Sequence, residues 1–256
     1  MQKMVAHRAH VKVCETAAEM GVECAKEVER IINDAVASRG HCTVALSGGT
    51  TPALLYKQLV SKEYKNKVDW AKVHFWVSDE RCVALSDKES NFGNAQRQFL
   101  DLLSLPAENL HPPVEPEGAP ADVAMAYEEA MKQFFELKEG EFPRFDLLLL
   151  GMGPDGHCAS LFPNTPALKE TKRIVVSNSV PGANIANRLT MTFPAINHAR
   201  NIVFMVQGAE KSHVLGEVLG QSDTTAYPVQ QVVPDDGHLE WILDQSAAHD
   251  FVSSKK

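Results

Sequence analysis

The sequence predicts an α/β fold built on a mostly parallel sheet, and three observations carry that expectation. Segments with strand and helix character alternate along the chain. Two strand-like runs, FDLLLLGMG (145–153) and NIVFMVQG (201–208), are continuously apolar, as strands covered on both faces require. No linker-like change of composition and no repeat divides the 256 residues, so one domain (1–256) is expected, with its core at roughly 15–245.

The elements follow in order. Ala17, Met20, Cys24, Val28, Ile31, Ile32 and Ala35 recur at helical spacing, and Gly40 supplies a stop, giving a helix over 17–36. HCTVALS (41–47) reads as a strand, followed by a glycine turn and a helix from Pro52 to Val60, proline suiting a first helical turn. KVHFWVSDE (72–80) reads as one strand and NFGNAQRQFLDLL (91–103) as a helix. A Pro/Gly-rich loop at 111–122 leads into a helix at 122–137. Strands are expected at 145–153, 173–180, 188–193, 201–208 and 238–244, with a helix at 209–219.

Composition narrows the function classes. The formal net charge is −8, so there is no basic footprint for nucleic acid. No apolar run approaches the roughly 20 residues of a membrane-spanning helix, and the N-terminal MQKMVAHRAH has no apolar signal core. The five cysteines form no CxxC pair and read as reduced thiols, which places the chain in the cytoplasm. The terminal SSKK resembles a peroxisomal address only loosely and carries no weight. A monomer or weak dimer is expected.

In an open parallel sheet, ligands bind beyond the carboxyl ends of the strands. Four strand ends here carry polar or glycine-rich clusters: Ser47-Gly48-Gly49-Thr50, Ser78-Asp79-Glu80-Arg81, Gly151 to His157, and Gln207 to Lys211. Ser47 to Thr51 can form an anion nest, with bare N–H groups, hydroxyls and a helix N-terminus together. It lacks the Lys-Ser/Thr of a P-loop. GMGPDG (151–156) matches G-x-G-x-x-G formally, but no acidic residue ends the next strand, so no nicotinamide or flavin cofactor is expected. His157 stands at a strand end between flexible residues, where an imidazole of ordinary pKa about 6.5 serves as a base and Asp155 can fix its tautomer. Arg81 and Lys211 are the cations best placed for a phosphate. Cys158 beside His157 reads as a buried small residue, and no spacing such as HExxH marks a metal site.

ALSGGTTP, WVSDER with SNFGNA, LLLGMGPDGHCASLFP, RLTMT and VQGAEK occur in an order that resembles the glucosamine-6-phosphate isomerase/6-phosphogluconolactonase family, on its lactonase branch. The resemblance spans roughly residues 15–245. It implies a Rossmann-like fold similar to that of glucosamine-6-phosphate deaminases. It also implies hydrolysis of 6-phospho-D-glucono-1,5-lactone in the oxidative pentose phosphate pathway, a carboxylic ester hydrolysis that needs no cofactor. Deaminases continue the Asp-Gly-His motif with an acid five residues after the histidine, where this chain has Phe162, and tend to read Asp-Glu-Tyr where it has Asp79-Glu80-Arg81.

Under this resemblance, the phosphate of the lactone sits on Ser47, Gly48, Gly49 and Thr50, clamped by Arg81 and Lys211. His157 takes a proton from the attacking water and Asp155 orients it. Arg188 or the backbone of 151–157 meets the oxyanion, while Asn91, Asn187 and Arg188 are candidates for sugar or loop contacts. Asp79, which the deaminase relatives use in catalysis, is left without a single assigned role here: catalysis, holding Arg81 and capping a turn all stay open. An amino-sugar phosphate deaminase and a non-catalytic sugar-phosphate binding module are the alternatives.

Overall fold

A computed structural model describes residues 9–113, 118–220 and 226–254. The N-terminal stretch 1–8, the middle of the Pro/Gly-rich loop at 114–117 and the last two residues of the SSKK tail lie outside the described residues. In chain order the strands are β1 (Ala9–Cys14), β2 (Cys42–Leu46), β3 (Val73–Val77), β4 (Asp79–Arg81), β5 (Leu147–Leu150), β6 (Val175–Ser179), β7 (Asn187–Met191), β8 (Asn201–Val206) and β9 (His238–Asp244). The helices are α1 (Ala17–Arg39), α2 (Pro52–Leu59), α3 (Asn91–Gln98), α4 (Pro120–Phe134), α5 (Phe193–Asn197), α6 (Ser212–Leu219) and α7 (His249–Ser253).

Six strands form a parallel sheet in the order β1-β9-β8-β5-β2-β3. Every residue of β2 and β5 is buried, which accounts for their unbroken apolar character. The mostly parallel α/β expectation is borne out. From β2 the chain moves outward to β3, whereas β5, β8 and β9 step away in the opposite direction. The order therefore reverses between β2 and β5, and a crevice opens beyond the carboxyl ends of those two strands.

α1 starts on Thr16, whose hydroxyl accepts from the Glu19 N–H, and ends on Gly40 at φ 83°, a left-handed value that suits glycine. Its apolar face, Met20, Cys24, Val28, Ile31, Ile32 and Ala35, is buried in the core cluster, and the helix packs against the sheet and α2. One apolar cluster runs from Cys14 to Phe251, beyond both ends of the expected core.

The structure departs from the sequence expectation in four places. The run 72–80 is two strands: β3 belongs to the parallel sheet, and after Ser78 the chain enters a second sheet as β4. β6 and β7, expected in the main sheet, instead complete this antiparallel sheet in the order β4-β7-β6, against which α4 packs. Ser78 joins the sheets physically, donating its N–H to the Leu46 carbonyl at 2.9 Å and accepting from the Met191 N–H at 2.8 Å. The helix expected over 91–103 ends at Gln98 and gives way to a 3-10 turn at Leu100–Leu102. Finally, β1, α5 and α7 were not anticipated.

Candidate active site

All four polar strand ends line one cavity of about 390 Å³ at the reversal of strand order, together with Asp244 from the end of β9. Its wall includes Ser47, Gly48, Gly49 and Thr50; Asn91; and the cations Arg81, Arg188 and Lys211 with His157. The volume suits a small polar metabolite.

The glycine turn is fixed from beneath, because the buried Tyr56 hydroxyl donates to the Ser47 carbonyl at 3.1 Å. Gly49 has φ 93°, which only glycine tolerates without strain. Gly48 must be glycine for a different reason: a Cβ there would lie 1.9 Å from Asn91 Oδ1. Pro52 then opens α2, whose first turn faces the same turn.

Asn91 is pinned in turn. Its Nδ2 donates to the Asp79 carbonyl at 2.9 Å, and its Oδ1 is buried without a partner among the described residues. Glu80, which sequence reasoning placed at the rim without assigning a role, organises this corner. Its carboxylate accepts from the N–H groups of Arg81, Asn91 and Phe92 at 2.7, 2.6 and 2.8 Å, and from the Ser90 hydroxyl at 3.0 Å. It thereby ties β4 to the N-terminus of α3 and fixes the backbone of both Arg81 and Asn91. Burial pushes its carboxyl pKa up against the lowering effect of those N–H donors.

Arg81 and Arg188 stand directly opposite each other on β4 and β7. Like charges in that register repel, an arrangement that binding a shared anion relieves. Arg81 donates to the Glu89 carbonyl at 2.8 Å, and its Nε–H is buried without a partner among the described residues. Arg188 donates to the Ile185 carbonyl at 3.0 Å and forms no ion pair with a described carboxylate. Burial, and then the charge of Arg81, hold its pKa below the usual arginine value. Lys211 adds a third charge, 3.9 Å from the exposed Glu210 carboxylate. The end of β9 supports its loop, because Asp244 accepts from the Gly208 and Ala247 N–H groups at 3.1 and 2.8 Å.

His157 faces the cavity from a tight loop in which the Gly153 N–H donates to the His157 carbonyl at 2.8 Å. There is no room for a side chain at Gly153, where a Cβ would lie 2.1 Å from the imidazole Nδ1. Asp155 Oδ1 lies 2.6 Å from that Nδ1. This engages Nδ1 and leaves Nε2 without a partner among the described residues. Burial raises the Asp155 carboxyl pKa, but the hydrogen bond and charge of His157 outweigh it and the net shift is downward. Asp155 does not itself line the cavity; it reaches the site through Nδ1 of His157, where it is placed to orient the ring.

Asp79 lines the cavity and accepts from the Ser160 hydroxyl at 2.6 Å, with no hydrogen bond to Arg81 among the described residues. Asn187 is exposed and outside the cavity wall. Cys158 is buried, and desolvation pushes its thiol pKa up, which disfavours the thiolate a nucleophile needs. Among the described residues no group of three His, Cys, Asp or Glu side chains could hold a metal ion.

A parallel sheet whose switch-point crevice is lined by a glycine-rich turn and three cations is the architecture of α/β proteins suited to a small phosphorylated molecule. The family model for glucosamine-6-phosphate isomerases/6-phosphogluconolactonase matches residues 15–241, and the chain belongs to that family. It is 42% identical over 221 residues to a 6-phosphogluconolactonase of Synechocystis sp., covering 86% of this chain and 89% of that one. The solved 6-phosphogluconolactonase of Trypanosoma cruzi is 27% identical, with a TM-score of 0.86 over 97% of this chain and 99% of that one. A monomeric glucosamine-6-phosphate deaminase, at 18% identity and a TM-score of 0.77 over 94% of this chain and 99% of that one, shares the fold.

Proposed function

We propose that this chain, acting as one α/β domain, hydrolyses 6-phospho-D-glucono-1,5-lactone to 6-phospho-D-gluconate. One observation carries the reading: an imidazole with Nδ1 engaged by a carboxylate shares a cavity with a glycine-rich nest and three cations. The dianionic phosphate sits on the turn at 47–50, with Arg81 and Lys211 as its clamp. Anchoring this remote group holds the lactone C1 before His157 and lowers the barrier through orientation.

Nε2 of His157 accepts a proton as a water oxygen bonds to C1. The resulting oxyanion is met by Arg188 or by N–H groups of the 151–157 loop. The carbonyl re-forms as the C1–ring oxygen bond breaks, and the proton on Nε2 passes to the departing ring oxygen. Water is consumed, one ester bond opens, and no electron leaves the system.

The deaminase alternative is disfavoured at one position. Where those enzymes place an acid, Phe162 stacks on the His157 ring with centroids 3.8 Å apart. A binding module without turnover would retain phosphate affinity alone. The test follows freshly prepared lactone against its spontaneous hydrolysis, with glucosamine 6-phosphate as the comparison substrate. The reading expects lactone turnover that His157→Gln lowers by about 10²- to 10⁴-fold while 6-phosphogluconate still binds. Ammonia release from the amino sugar, or lactone hydrolysis no faster than the spontaneous rate, would overturn it.

A further inference from the structure

The segment after His157 reverses direction within four residues. The Leu161 N–H donates to the Cys158 carbonyl at 2.9 Å, and the two residues form an isolated antiparallel bridge. Ala159, inside the turn, has φ 47°, a left-handed conformation that an alanine adopts only at a cost. Strain held at a cavity wall asks what the turn achieves. Ser160, buried in the turn, donates to Asp79, while the reversal brings Phe162 back beneath His157. The two rings stack with centroids 3.8 Å apart and planes 21° from parallel. Arg188 Cζ lies 5.2 Å from the centre of the same phenyl ring.

We infer that Phe162 is a positioning residue for the reaction: its flat face fixes the plane of the His157 imidazole, so that Nε2 points at the water that attacks the lactone carbonyl. The inference rests on His157 being the base, as proposed above. A single hydrogen bond at Nδ1 leaves the ring free to rock about that contact, because Asp155 is itself partly exposed. A second, non-polar contact across the ring face removes that freedom and excludes water from one side. Arg188 needs Phe162 less, because the Ile185 carbonyl holds its guanidinium independently. Loss of the phenyl face therefore falls on turnover more than on substrate binding.

The test compares Phe162→Leu and Phe162→Tyr with the wild type and with His157→Ala. Leucine fills similar space without a flat face; tyrosine keeps the face. Phe162→Leu should lower kcat by about 10- to 100-fold with KM within about threefold, the size of effect that small misplacements at a reacting centre produce. Phe162→Tyr should restore kcat. In NMR spectra the His157 ring-proton resonances should move downfield in Phe162→Leu, as the phenyl ring current is lost, and return in Phe162→Tyr. If His157→Ala abolishes turnover while Phe162→Leu keeps wild-type kcat, or if the resonances do not move, the role of Phe162 is overturned and the base assignment stands. If His157→Ala itself keeps wild-type turnover, the base assignment fails and the inference falls with it.

Discussion

Gly48→Ala is the sharpest perturbation the site offers, because the backbone there is unstrained and the obstacle is one side chain. A Cβ at position 48 would lie 1.9 Å from Asn91 Oδ1, 2.2 Å from its Cγ and 2.5 Å from its Nδ2. Ordinary contact begins near 3.4 Å, so the amide must retreat by about 1.5 Å. Asn91 is buried and bonded to the Asp79 carbonyl at 2.9 Å, and that movement breaks the bond. An unpaired buried amide costs about 1–3 kcal/mol and overpacking about the same again, so Gly48→Ala should destabilise the protein by about 2–6 kcal/mol. Asn91→Ala alone should cost about 1–3 kcal/mol, but it vacates the space a new methyl would need. Gly48→Ala/Asn91→Ala should then be no less stable than Asn91→Ala by more than about 1 kcal/mol, a coupling of about 1 kcal/mol or more. Urea unfolding of the four proteins, with midpoint and slope fitted together, measures this directly. Gly40→Ala is the control: at φ 83° with nothing within 4 Å, it should cost about 1–2 kcal/mol, with no rescue from Asn91→Ala. Additivity of Gly48→Ala and Asn91→Ala within about 0.5 kcal/mol would refute the steric reasoning.

Two further outcomes follow from the charges. Arg81→Ala and Lys211→Ala should each raise KM for the lactone by about 10-fold or more, the value of a charge-assisted contact to phosphate, and unchanged KM in both would remove them from the clamp. His111 stacks on Trp76 with centroids 4.1 Å apart; burial, and then the neighbouring His74, lower its pKa from 6.5 to about 4. Between those values the unfolded chain binds the extra proton, so this contribution to stability is complete above about pH 6.5 and is lost as pH falls toward 4. After solvent screening of a half-exposed ring it amounts to roughly 1 kcal/mol, and His111→Phe should remove that part of the difference between urea midpoints at pH 7 and pH 5.

The rim of the sheet was legible because its chemistry is local. Glycines and polar residues directly follow apolar runs at Leu46, Leu150 and Val206, and chain order supplies the rest. The second sheet was not legible, because strand pairing depends on distant partners. β4 has only three residues, Asp79, Glu80 and Arg81, which show no alternation of apolar and polar positions. β6 and β7 looked like strands, but nothing in them specifies the sheet they join. β1 did carry a signal, since Val11 and Val13 alternate with His10 and Lys12. At the site, the nest, the cations and His157 followed from residue type, whereas the Glu80 anchor, the Asp244 support and the turn at Ala159 arise from tertiary contacts. A left-handed alanine leaves no mark in a sequence.

The central claim is spatial, and a crystal structure with bound 6-phosphogluconate tests it most directly. The account predicts the phosphate on the Ser47–Thr50 turn within reach of Arg81 and Lys211, and the C1 carboxylate within roughly 3 Å of His157 Nε2. A phosphate bound elsewhere, or a carboxylate turned away from His157, would contradict it.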